Sequence, residues 1–314
     1  MQATQRTKLW LDCDAGVDDA QGILLALAQG VQLEGISAVH GNTNVTQVTH
    51  NIARILALRG RLDIPVYVGA GEPLLAVAAD PCLFHGSDGL GDLPDQPPTF
   101  DSLDFHPTPG AAALKLVEAA EQAQGELIIA AVGPLTNIAL ACKLDPELPS
   151  KIRRLVVMGG SSGTGNVTPC AEFNFHADPE AARLVLQKFT EVHLVSWTCA
   201  QHHSVSWKQV DEWAKVDTAK GRFMGAVMEG SFGHFRDKDP DGYPPCDPLA
   251  VAIAVCPEIV EQSCEVHCDV ETQGLARGQS IFDWNAVLKQ PQNVSLIQQI
   301  DVSKFSAMML QMLE

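Results

Sequence analysis

The sequence predicts an α/β protein with a Rossmann-like, mainly parallel central sheet flanked by helices, in a single domain. Three observations carry this expectation. Short apolar runs alternate with helix-period segments through the first two-thirds of the chain. The runs at 127–132 and 154–158 lack polar alternation, as strands covered on both faces do. Polar and glycine residues follow the runs, at Asp14, His40-Gly41-Asn42, Gly133 and Gly159-Gly160. In open parallel sheets that edge is where ligands bind.

Taken in order, Lys8 to Cys13 reads as a strand, and Gly16 as the residue that permits a sharp turn. A helix over Asp19 to Gln29 follows, then a strand near Leu33 to Val39 and a helix from Val45 to Leu58. Val66-Tyr67-Val68 and Leu127 to Val132 are strands; Thr136 to Cys142 is a helix. Arg154 to Met158, Asp178 to Gln187 and Val192 to Ser196 repeat the strand, helix, strand rhythm. Two regions break it. Residues 71–109 are rich in Pro, Asp and Gly and too long for an ordinary connection, which marks a functional loop. Residues 200–245 read as mixed helical and polar, an irregular, cap-like region ending in the acidic run Asp237 to Asp241, expected to be a solvated loop near a pocket mouth. No composition shift marks a linker, so residues 1–314 are taken as one domain.

The formal charge of −17, from 21 basic and 38 acidic residues, argues against nucleic acid or an anionic membrane surface as partner. No apolar stretch is long enough to span a bilayer, and no hydrophobic signal region precedes the first strand. Nine cysteines are scattered without metal-site or disulfide spacing, which leads us to expect reduced thiols and a cytoplasmic location. His202 and His203 are expected to face solvent, Trp207 and Trp213 to lie on different helical faces, and Met308, Met309 and Met312 to form the apolar side of a final helix.

The most informative segment is Asp12-Cys13-Asp14-Ala15-Gly16-Val17-Asp18-Asp19. It sets four carboxylates at a strand end and helix start. The helix dipole favours each singly, but together they raise one another's pKa values. A hard divalent cation with oxygen ligands relieves that repulsion. The alternative is that Asp18 and Asp19 only cap the helix while Asp12 and Asp14 are solvated.

Four more motifs follow: His85-Gly86-Ser87-Asp88-Gly89-Leu90-Gly91, Val132 to Asn137, Glu172-Phe173-Asn174 with Asp178-Pro179-Glu180, and Cys246-Asp247-Pro248. With the acidic turn, in this order, they resemble the inosine-uridine-type nucleoside hydrolases. The resemblance runs from about Lys8 to Asp283 and is weaker near Gly274 to Gly278. It implies calcium-dependent hydrolysis of the N-glycosidic bond of ribonucleosides, and a homodimer or homotetramer. By resemblance Asp14, Asp19, the Val132 carbonyl and Asp247 hold Ca2+, and Asp14 takes the proton of the attacking water. Asp18 and Asn42 lie on the ribose and metal side; Met158, Asn166, Glu172 and Asn174 hold the sugar. Carboxylates suit this reaction because its transition state is an oxocarbenium-like sugar.

One position departs from the pattern. Many members carry histidine before the late aspartate, where it protonates the departing base; here it is Cys246. The resemblance to the family's cysteine-bearing group tilts the expected substrate toward inosine or guanosine. The thiol either donates the proton or only packs against the base. His85 is a further candidate for a base or leaving-group contact, with a loop hydrogen bond as the alternative. A haloacid-dehalogenase reading of Asp12-Cys13-Asp14 fails at Gly16 and at the two acids that follow. A non-catalytic nucleoside-binding protein on the same fold is the remaining rival. Loss of Asp14 or Asp247 would have favoured it, and both are present.

Overall fold

Alternate residues of the first strand enter two different cores, which explains why the strand runs lack polar alternation. In β1 (Lys8–Cys13), Leu9, Leu11 and Cys13 join the apolar cluster on one face of the sheet, and Trp10 joins the cluster on the other. The computed structural model describes residues 6–75, 83–93, 98–237 and 239–314, apart from the side chains of 83 and 233–235.

The chain continues through α1 (Val17–Ala28), β2 (Gln32–Ala38), α2 (Val45–Leu58), β3 (Val66–Val68), α3 (Ala112–Ala123), β4 (Leu127–Ala131), α4 (Thr136–Leu144) and α5 (Leu148–Lys151). It then forms β5 (Arg154–Met158), α6 (Phe173–Ala177), α7 (Pro179–Lys188), β6 (Val192–Val195), α8 (Trp197–His202), α9 (Trp207–Trp213) and α10 (Ala219–Arg236). The last elements are α11 (Cys246–Val255), β7 (Val260–Val266), β8 (Cys268–Val270), β9 (Ser280–Phe282), β10 (Val294–Ile300) and α12 (Val302–Leu313). Eight strands make one sheet in the order β3-β2-β1-β4-β5-β6-β10-β7, parallel except for the antiparallel β10–β7 pair. β8 and β9 form a separate antiparallel hairpin. Helices α1, α2, α11 and α12 supply one covering layer; α3, α4 and α7 supply the other. The architecture is the α/β, mainly parallel, Rossmann-like arrangement that the sequence predicts.

The differences from expectation have local causes. Helix α1 begins at Val17, because Asp19 turns back to accept the Gly16 N–H at 2.7 Å and the Asp14 N–H at 3.2 Å. Gly16 keeps an ordinary φ of −80°, and the left-handed residue of the turn is Ala15 at φ +44°. Glycine is needed at 16 for space, since a Cβ there would lie 2.5 Å from Asn42 Nδ2 and 2.6 Å from His85 Nδ1. The region 200–245 is largely helical. Phe223, Met224, Val227, Met228 and Phe232 carry a helical apolar period into the core, while Gly221, Gly225 and Gly230 lower its propensity and hide the helix from a sequence reading. His203 is buried, with Nδ1 against the Cys199 carbonyl at 2.8 Å and Nε2 accepting the Ile300 N–H at 3.4 Å; only His202 is exposed. Parts of the 71–109 loop, at 76–82 and 94–97, and residue 238 of the acidic run lie outside the described residues. The methionines of α12 are buried as expected, and the eight described cysteines are free thiols.

Candidate active site

The C-terminal ends of the parallel strands meet at one cavity of about 820 Å³. Asp14 enters it after β1, Asn42 after β2, Val132 after β4 and Met158 from the end of β5. Asp18, His85, Asn166, Glu172, Asn174, Cys246 and Asp247 line it too, so the sequence-predicted residues converge, with Asp19 buried behind Asp18.

One wall is acidic. Helices α1 and α11 pack so closely that a Cβ at Gly22 would lie 3.1 Å from Val251 Cγ2, and this sets their first turns side by side. Carboxylate oxygens of Asp18, Asp19 and Asp247 consequently lie within 4.8 Å of one another. Burial pushes Asp247 and Asp14 well above the usual carboxylate range, and neighbouring aspartates push both further. Asp19 rises for the same two reasons, burial first. An all-oxygen, buried and mutually repelling donor set fits a hard divalent cation, whose charge removes the repulsion.

Asp14, expected among the ligands, stands outside this closest trio, and Asp18, expected on the ribose and metal side, stands within it. The cause is visible in the neighbouring loop. Asn42 N–H donates to Asp14 Oδ2 at 2.8 Å, and a Cβ at Gly41 would overlap that same oxygen. Asn42 Nδ2 also donates to Asp19 Oδ2 at 3.2 Å. Val132 carbonyl accepts from Asn174 Nδ2 at 2.8 Å, which orients both toward the cavity. Asp12, in contrast, is fully buried within the sheet, where burial lifts it to about 7 against hydrogen bonds from Ser37 and Asn137.

Across the cavity Glu172 caps α6. Its carboxylate accepts N–H groups of Gly160 at 2.7 Å, Asn174 at 2.8 Å and Phe175 at 3.1 Å. Burial nevertheless raises it to about 7. Asn174 Nδ2 also donates to the Met158 carbonyl at 3.2 Å, and Asn166 Oδ1 accepts the Phe173 N–H at 2.9 Å. His85 Nδ1 accepts the Val17 N–H at 3.0 Å and stands 3.7 Å from Asp18, so the loop histidine caps α1 and its proton resides on Nε2. Cys246 opens α11 with Sγ 3.6 Å from the Pro244 carbonyl; burial, then the charge of Asp18, pushes its thiol up, and it stays protonated.

Phe84, Phe173, Trp197 and Tyr243 add aromatic surface to the same cavity. The sequence reading missed this surface. Trp197 follows β6 at the ligand edge, so the strand-end rule that located Asn42 would have found it. Nothing local marks Tyr243, whose hydroxyl donates to Gln21 Oε1 at 3.0 Å across 222 residues.

A family model described as inosine-uridine preferring nucleoside hydrolase matches residues 9–307. The chain belongs to this nucleoside hydrolase family. A probable uridine nucleosidase 1 of Oryza sativa is 34% identical over 294 residues, covering 90% of this chain and 88% of that one. The pyrimidine-specific ribonucleoside hydrolase RihA of Salmonella typhimurium is 30% identical, with 97% of each chain covered. Among solved structures, an inosine-guanosine nucleoside hydrolase superposes with a TM-score of 0.88 at 30% identity. A purine-preferring ribonucleoside hydrolase from Gardnerella vaginalis gives 0.86 at 27% identity. Each structural match covers 98% of both chains. The protein is therefore a glycosidase of N-glycosidic bonds, and the buried Asp18-Asp19-Asp247 cluster matches the family's Ca2+ site. Among the described residues no helix is long and apolar enough to cross a membrane.

Proposed function

We propose that this nucleoside hydrolase cleaves ribonucleosides to free base and ribose, with inosine or guanosine preferred. One observation carries the reading: a single cavity is lined by a buried carboxylate cluster, by aromatic side chains and by Cys246, the neighbour of Asp247 in the chain. In this assignment Asp14, Asp19, Asp247 and the Val132 carbonyl would hold Ca2+, with Asp18 on the ribose and metal side. A bound Ca2+ would compensate the clustered charge and give water and ribose hydroxyls an oxygen-tolerant anchor.

The protein's own residues do the rest. Asn42 N–H fixes Asp14, so its carboxylate is oriented to take a proton from water attacking the anomeric carbon. Asn166, Glu172, Asn174 and Met158 hold the sugar from the opposite side, and this positioning contributes a large share of the rate. The carboxylates face the positive charge that develops on the ribose. The base lies against Trp197 and Tyr243, with the Cys246 thiol and His85 Nε2–H as donors to it.

The purine preference rests on Cys246, on an aromatic cavity roomy enough for a two-ring base, and on the likeness to the purine-acting relatives. The pyrimidine-acting relatives pull the other way. The unpaired thiols support a cytoplasmic location. The test is base release from inosine, guanosine, adenosine, uridine and cytidine, followed by chromatography on wild type and Cys246→Ser. We expect the 6-oxopurine nucleosides to rank first, and the variant to lose more on inosine than on a nitrophenyl riboside, whose leaving group needs no proton. A pyrimidine-first ranking would overturn the preference. Equal losses on both substrates would overturn the donor role of the thiol. No release from any nucleoside by folded, Ca2+-loaded protein would favour a binding protein instead.

A further inference from the structure

A buried polar network lies beneath the cavity, outside the residues assigned to substrate or ion. Its centre is the pair Thr136-Asn137 at the start of α4. Asn137 Nδ2 donates to Asp12 Oδ1 at 2.8 Å and to the Ala38 carbonyl at 3.1 Å; its Oδ1 accepts the Ala70 N–H at 2.8 Å. Asp12 Oδ1 also accepts from Ser37 Oγ, which itself accepts from Trp10 Nε1 at 2.9 Å. Thr136 Oγ1 donates to Asp178 Oδ2 at 2.7 Å and meets His40 Nε2 at 3.0 Å. Two adjacent residues thus tie β1, the ends of β2 and β3, and the start of α7 to one loop.

That loop is Val132 to Leu135, and it reaches the site directly. Asp12 carbonyl accepts the Val132 N–H at 2.8 Å, so Asp12 grips the loop's first residue by main chain and Asn137, two residues past its end, by side chain. A Cβ at Gly133 would lie 3.1 Å from Asp14 N and 3.3 Å from Asp14 Oδ1, so the loop packs against Asp14 itself. Asp12 Oδ2 is buried with no hydrogen-bond partner, an arrangement costly enough to require a return elsewhere.

We propose that Asp12 and Asn137 are positioning residues for the cation cup, holding the Val132 carbonyl and Asp14 in register with Asp19 and Asp247. The inference rests on the Ca2+ assignment above. Residues that orient metal ligands typically change metal affinity by about 10–100-fold when removed.

The experiment titrates metal-stripped protein with CaCl2 in a calorimeter, alongside melting temperature and the kcat and KM for inosine at saturating Ca2+. Asp12→Ala is expected to weaken Ca2+ binding by about tenfold or more, with KM nearly unchanged once Ca2+ saturates. Asp12→Asn, which keeps the oxygen facing Ser37 and Asn137, is expected to restore affinity to within about threefold of wild type. Asn137→Ala leaves β1 untouched and serves if Asp12→Ala does not fold; it should weaken Ca2+ similarly. Wild-type affinity in a folded Asp12→Ala or Asn137→Ala protein would overturn the proposal alone. So would an Asp12→Asn protein as weak as Asp12→Ala. Failure of the wild type to bind Ca2+ would overturn the cation assignment and this proposal with it.

Discussion

The acidic and the aromatic linings of the cavity come from different parts of the chain. The acidic lining stands on the sheet and its first helical turns: Asp14 follows β1, Asp18 and Asp19 open α1, and Asp247 sits in the first turn of α11. Its geometry is set by short connections between regular elements and by glycines that admit no side chain, Gly16 and Gly41 among them. The aromatic lining is more scattered along the chain: Phe84 from the long loop, Trp197 from the start of α8 just after β6, and Tyr243 from the approach to α11. The first lining holds costly buried charge, and the second offers apolar surface. In the proposed function the first does chemistry common to any ribonucleoside and the second sorts bases. Rigid elements are suited to the first task, and segments free to vary without disturbing the sheet are suited to the second.

If that division is right, substitutions in the two linings should change different kinetic constants. The largest effect is expected from Asp14→Asn, which keeps the shape and an acceptor for the Asn42 N–H but removes the base. We expect a loss of about 10³-fold in kcat on every nucleoside, with the melting temperature held or raised as one buried charge disappears. A loss confined to purines would break the division, because it would place Asp14 at the base.

A smaller effect is expected from Trp197→Ala. Loss of a stacking surface should raise KM for inosine about tenfold and change kcat little, read from initial rates across substrate concentration. A collapse of kcat with KM intact would show that the aromatic lining takes part in bond cleavage.

A third substitution tests the carboxylate across the cavity through stability. Burial raises Glu172 to about 7, above its ordinary value of 4.5. Because the folded value is the higher one, the group's contribution to stability is full below pH 4.5 and is lost as pH rises through about 7. The amount is on the order of 3 kcal/mol. Glu172→Gln removes that titration, so the stability difference between wild type and variant should move against the wild type from pH 5 to pH 8. Denaturant melts across that range that keep a constant difference would mean Glu172 is ionised throughout.

The same division explains what could be read in the sequence. The sheet and the acidic lining were legible because their signals are local: apolar runs bounded by glycine, and four aspartates in eight residues. The aromatic lining was not, because Tyr243 and Phe84 become neighbours of the site only through tertiary packing, and glycines hid α10. Even locally, chemistry could be right while geometry was wrong. Gly16 was read as a turn former, and its function is to leave room for Asn42 and His85 while Ala15 takes the left-handed conformation. His203 looked solvated because its partners, the Cys199 carbonyl and the Ile300 N–H, lie on different elements. Asp12 offered no sign of whether it faced water or the sheet interior, since alternation along β1 sends every residue into one core or the other.

Ca2+-dependent N-ribohydrolase activity at the acidic cluster is tested by release of base and free ribose from inosine in phosphate-free buffer, before chelation, after chelation and after Ca2+ is restored. Equimolar base and ribose are expected, with loss of turnover on chelation while the protein stays folded, and recovery with Ca2+. Undiminished turnover in fully chelated protein, or ribose released only as a phosphate ester when phosphate is supplied, would contradict that expectation.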